Sequence, residues 1–108
     1  MDDIKKLEMT IAPYRQRSIA LTMTIEALTN KMIKVVELEY KKSKDPELSN
    51  AELRRIAVQE RLQLDPEYTE AVSEKMMADE AILYGEINLN ALKREFTIKY
   101  LQNIKLPF

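Results

Sequence analysis

Residues 66–103, PEYTEAVSEKMMADEAILYGEINLNALKREFTIKYLQN, carry the reading of the fold. Past its opening residue the stretch contains no proline, and Gly85 is the single glycine of the whole chain. Asp65 is placed as an N-cap, Pro66 at the first helical position and Glu67 near the positive end of the helix dipole, so one long helix is predicted from 66 to 103. Ala71, Ala78, Ile82, Gly85, Leu89, Leu92 and Phe96 fall on heptad positions, small residues early and large ones late. That order predicts a seam that closes tightly at one end and splays at the other, with Phe96 in the core. A second row, Val72, Met76, Leu83 and Ile87, sits beside the first. Two apolar rows on one helix exceed what a single neighbouring helix covers, so the surplus predicts a homo-oligomer or a protein partner. Val72, Met76, Leu83 and Ile87, with Ile82, Leu89, Leu92 and Phe96, are the candidate interface.

Working outward, a second long helix is predicted over 14–43. Leu21, Ile25, Leu28, Met32 and Val35 alternate steps of four and three, which sets them on one stripe that Ile33 and Val36 widen. Pro13 suits the first turn of this helix, leaving residues 1–12, with Ile4, Leu7 and Ile11, as an N-terminal arm or short helix. The helix is expected to end near Ser43-Lys44-Asp45-Pro46, because proline disfavours helical geometry in the residue before it. A short helix is predicted over 49–63, with Ser49 and Glu52 at capping-box spacing, Leu48 and Leu53 as a hydrophobic staple, and Leu53, Ile56 and Ala57 on one side. The expected architecture is a single all-α domain: an antiparallel hairpin of two long helices, coiled-coil-like, with a short intervening helix.

Composition removes several kinds of chemistry. A chain of 108 residues has room for one domain with a modest core. Cysteine and histidine are both absent, which excludes thiol nucleophiles, disulfides, imidazole bases and the commonest zinc ligands. One glycine excludes a glycine-rich phosphate loop. No nucleophile–base pair is nominated, so no catalytic residue, metal or cofactor is expected and the protein is read as a non-enzyme. Glu67, Glu70 and Glu74 stand at cation-binding spacing, but a solvated first helical turn accounts for them. No apolar run reaches the roughly 18 residues needed to span a bilayer. The first residues, Met1-Asp2-Asp3, lack the basic and apolar regions of a secretory signal, and the expected location is the cytoplasm, that of a bacterial host cell.

Charge is distributed more tellingly than its total of −1 suggests. Residues 1–44 carry +3, residues 45–80 carry −6 and residues 81–108 carry +2. In an antiparallel hairpin the start of the first helix lies beside the end of the third, gathering Lys5, Lys6, Arg15, Arg17, Lys93, Arg94, Lys99 and Lys105 at one end, with Tyr14, Phe96, Tyr100 and Phe108 nearby. Single-strand binders combine cationic tracks with rings on which bases stack. Arg15, Arg17, Lys93, Arg94 and Lys99 are therefore the candidate phosphate contacts, and Tyr14 and Tyr100 the candidate stacking rings. The bland alternative is that helical charges are solvated surface and that rings at helical spacing are core.

Ser49-Asn50-Ala51-Glu52 with Arg54, the turn Asp65-Pro66-Glu67-Tyr68 and the late Leu92-Lys93-Arg94-Glu95-Phe96 give residues 49–101 a resemblance to small helical proteins encoded in the recombination and replication regions of bacteriophage genomes. In plan the chain is similar to phage recombination mediators. That resemblance implies an oligomeric, helical, non-enzymatic accessory protein that binds single-stranded DNA and a recombinase, helicase or single-strand binding protein. The rival expectation is a phage-encoded interaction module that inhibits a host enzyme or defence complex through the acidic face from Asp65 to Glu80.

Overall fold

The computed structural model describes residues 2–103 and is all-α among them: α1 spans Asp2–Ser43, a 3-10 turn spans Pro46–Leu48, α2 spans Ala51–Gln63 and α3 spans Pro66–Asn103. Two long helices joined through a short one are the expected hairpin. The chain divides into two compact units, one joining the residues up to Ser18 to those from Met77 onward, the other formed by Ile19–Met76.

In the first unit α1 runs antiparallel to α3. Glu8 lies 3.7 Å from Lys93, Arg15 lies 3.1 Å from Glu86, and the Ser18 hydroxyl donates to Asp79 at 2.6 Å, so partner numbers fall as α1 advances. Ile11, 1% exposed, packs over Gly85, and Ala78 and Leu89 are buried on the same side of α3. A Cβ at position 85 would sit 2.5 Å from Ile11 Cγ1 and 2.8 Å from its Cδ1. The lone glycine is thus required by close approach, not by backbone conformation.

This packing also corrects the expected N-terminal break. Residues 2–43 form one uninterrupted helix with Pro13 in its interior. Proline removes the N–H that would reach the Met9 carbonyl. Both Met9 and Pro13 are exposed, so water can satisfy that carbonyl while Ile11, two residues away, anchors the helix against α3.

The second unit is held by Val36, Leu48, Val58 and Leu62, against which Met32, Tyr40, Ala57 and Tyr68 pack. Leu21 is buried and Ile25, Leu28 and Met32 half-buried, as their stripe requires, but the stripe then steps by four: Val36 is fully buried and Val35 is 47% exposed. Leu48 and α2 press on that side of α1 and so choose between the two valines. On α2 the inward residues are Val58 and Leu62, while Ile56 turns outward, 41% exposed.

Capping differs from expectation by one residue. Asn50, not Ser49, is the N-cap of α2, its Oδ1 accepting from the Leu53 N–H at 2.8 Å. Asp45 caps the preceding 3-10 turn through the Glu47 N–H at 3.0 Å, which uses Ser49 as the end of that turn. Glu52, freed from the capping box, pairs with Arg55 at 2.6 Å. Asp65 caps α3 as expected, accepting from the Glu67 N–H at 3.0 Å. At the end of α1, Lys44 adopts φ 57°, a left-handed residue whose N–H donates to the Tyr40 carbonyl at 2.8 Å. This is the C-terminal stop that glycine usually supplies, so a side chain here carries backbone strain.

Candidate functional site

The antiparallel tip does bring the expected cationic residues into one unit, but not as an uncompensated cluster. Residues 2–18 and 77–103 contain seven Lys/Arg and seven Asp/Glu. Arg15 pairs with Glu86 and Lys93 with Glu8, each partner about half exposed. Arg17 is exposed and engaged in an interaction of its own. Arg94 and Lys99 are exposed, with no ion pair among the described residues. Tyr14 is 43% and Tyr100 62% exposed. Lys105 and Phe108 lie outside the described residues. The acidic stretch is also divided, since Asp79 and Glu80 belong to the same unit as the cationic tip. Charge reading from linear segments missed this because it placed α3's first acidic turns in a separate block from its basic end.

The interface candidates separate into two classes. Leu89 is buried and Ile82 and Leu92 are half-buried along the seam; these support the fold itself. Met76, Leu83 and Ile87 are 64%, 55% and 55% exposed, and Val72 is half-buried. Phe96 departs from its expected core place: it is 52% exposed, and from Lys93 to Asn103 every residue of α3 is exposed. The physical reason is register. Ile11 packs on Gly85, and in an antiparallel pair each later residue of α3 lies level with an earlier one of α1, so Phe96, eleven positions on, lies past the described residues of α1. Two exposed side chains not included among the interface candidates, Met77 and Tyr84, extend the open apolar surface, at 68% and 65% exposure. Their signal was present as steps of seven from Met77 to Tyr84 to Ala91 to Ile98.

The second unit contributes a shallow groove of about 240 Å³ with Ile33, Val36, Ala51 and Val58 on its floor and Glu37, Arg54 and Arg55 at its rim. Arg54 is committed to structure: its Nη1 donates to the Leu48 carbonyl at 2.9 Å and its guanidinium stands 5.1 Å from the centre of the Tyr40 ring, which Lys44 also approaches at 5.3 Å. Nothing in this groove pairs a nucleophile with a base, and no group of acidic side chains among the described residues could hold a metal ion. No described helix is long and apolar enough to cross a membrane.

Glu39 and Arg61 form the ion pair that ties α1 to α2, at 2.5 Å. The hydrogen bond from Arg61 holds the Glu39 carboxyl below its usual 4.5, against an opposing desolvation and with Coulomb attraction to Arg61 as a smaller addition. Glu39 in turn raises Arg61. A depressed carboxylate contributes stability that is present above its ordinary pKa and is lost as pH falls through the depressed folded value. Glu39→Gln is therefore expected to unfold more easily than the parent at pH 7, with the gap narrowing at acid pH as the parent's carboxyl takes up its proton. Paired urea melts at neutral and acid pH check this, and an equal gap at both would show that the pair adds nothing through charge.

Comparison of the chain with protein-family models, with curated proteins and with solved structures gives no match.

Proposed function

We propose that this protein is a non-enzymatic helical interaction module that works by presenting the outer apolar row of α3 to another protein chain. The observation that carries this reading is the exposure of Met77, Leu83, Tyr84 and Ile87 on a helix whose other side is already packed against α1. Large apolar side chains scattered singly are ordinary surface; a continuous row along several turns is a contact surface. The groove of the second unit, for its part, sets no nucleophile beside a base.

A photo-crosslinking amino acid at position 84 tests the reading in cells. A discrete covalent product with another polypeptide is expected, and Ile87→Glu should remove it while leaving the helical content of the purified protein unchanged. A Tyr84 probe that stays on a single chain in every condition would overturn it.

The second reading, a single-strand DNA accessory of recombination as the resemblance implies, draws on exposed Arg94, Lys99 and Tyr100 near the end of α3. It ranks behind the first because phosphate binding depends on uncompensated cations, and Glu8 and Glu86 already occupy two of the five proposed contacts. Anisotropy of a labelled oligonucleotide separates the two: steep loss of binding with salt, abolished by Lys93→Glu with Arg94→Glu, would favour DNA.

A further inference from the structure

We propose that the outer row of α3 pairs with the same row of a second copy of this chain, antiparallel, about a two-fold axis at Ile87. The inference rests on the interaction-module reading and supplies its partner. From Met77, three- and four-residue steps run through Glu80, Tyr84, Ile87, Ala91 and Arg94 to Ile98, placing these residues on one stripe. At 3.6 residues per turn the stripe lies roughly 150° around the helix from the buried seam of Ala78, Gly85 and Leu89. It is open to solvent: even Ile98, at its far end, is 48% exposed.

The two charged residues that interrupt the row decide what covers it. Glu80 precedes Ile87 by the same interval at which Arg94 follows it. Both are exposed, and neither has an ion pair among the described residues. A two-fold axis at Ile87, perpendicular to α3, brings Glu80 of each copy to the level of Arg94 of the other, so two opposite-charge pairs form for one symmetric contact. Leu83, beside the row, then meets the level of Ala91, large against small, and Ile87 meets its own copy. A parallel, in-register pairing would instead set Glu80 on Glu80 and Arg94 on Arg94, repulsive at both positions. An unrelated partner would have no reason to require charges placed symmetrically about an apolar centre. From Met77 to Ile98 the stripe is about 32 Å long, three heptads, the extent at which a two-helix seam becomes a coiled-coil signal.

The absence of cysteine from the chain makes the test direct. Glu80→Cys and Arg94→Cys proteins, each verified as helical by circular dichroism, are treated with a short bis-maleimide separately and as a mixture. Covalent dimer is expected in the mixture, joining position 80 to position 94, with little from either protein alone. Dimer from Glu80→Cys alone would mean a parallel contact and overturn the proposal. Sedimentation equilibrium provides the independent arm: Glu80→Arg or Arg94→Glu should each weaken the dimer by about tenfold or more, and the two together in one chain should restore it to within a few-fold of the parent. A parent that is monomeric at about 100 µM overturns self-pairing. If that monomer still captures a different protein through position 84, the interaction-module reading stands; if it captures none, both fall.

Discussion

Gly85→Ala is expected to destabilise the protein by up to about 2 kcal/mol, although alanine is the better helix former. Taken as an isolated helix, α3 should gain roughly 1 kcal/mol from the exchange. Against that stands the contact described above: the added methyl would overlap Ile11 Cγ1 at 2.5 Å, and Ile11 is 1% exposed with nowhere to retreat. Overpacking of this kind costs about 1–3 kcal/mol, and larger groups cost more, so Gly85→Leu should separate α1 from α3 in the first unit altogether. The partner substitution isolates the cause. Ile11→Ala alone should cost about 2–5 kcal/mol as a core truncation. In the Gly85→Ala background it should cost at least about 1 kcal/mol less, because the new methyl fills the space that isoleucine leaves. Urea denaturation of the four proteins measures the coupling. Stabilisation by Gly85→Ala would mean that α1 and α3 do not approach as closely as described.

Leu62→Ala should cost more, about 3–4 kcal/mol, within the range for truncating a fully buried leucine. Leu62 has no exposed surface and sits where α1, the 3-10 turn and α2 converge with Val36, Leu48 and Val58. The loss is a large share of the roughly 5–15 kcal/mol that a domain of ordinary size possesses. The chain contains no tryptophan, so tyrosine fluorescence reports the change; Tyr40 and Tyr68 flank the cluster directly. The valine pair on α1 serves as an internal control. Val36→Ala should destabilise clearly, whereas Val35→Ala, at a site 47% exposed, should change little. Equal effects at the two positions would contradict the four-residue step that ends the α1 stripe.

Both expectations follow from packing, and they show where sequence reasoning succeeded. The two proline-marked boundaries were legible, at Ser43 and at Asp65-Pro66, because a missing N–H and a capping carboxylate act within a few residues. The seam of α3 was legible from Ala71 to Leu92 because its spacing follows the helical repeat. The α2 cap is ambiguous in sequence by one residue, since Ser49 and Asn50 are both good caps and the choice depends on how the Pro46–Leu48 turn closes. Pro13 reads as a boundary because its local cost is visible in sequence, while the compensating contact between Ile11 and Gly85 joins residues 74 positions apart.

What the amino-acid sequence determined by itself is local and periodic: all-helical content, where α3 begins, and the presence of more apolar surface than one helix needs. Only the tertiary structure decided which apolar residues are spent on the fold and which remain outside it, since the burial of Val36 over Val35 and the exposure of Phe96 depend on which helix lies opposite. It also decided the electrostatics of the tip. Ion pairing requires side chains to meet within about 4 Å, and Glu8 with Lys93 or Glu86 with Arg15 are brought together by chain reversal, a property that no count of charges along the sequence contains.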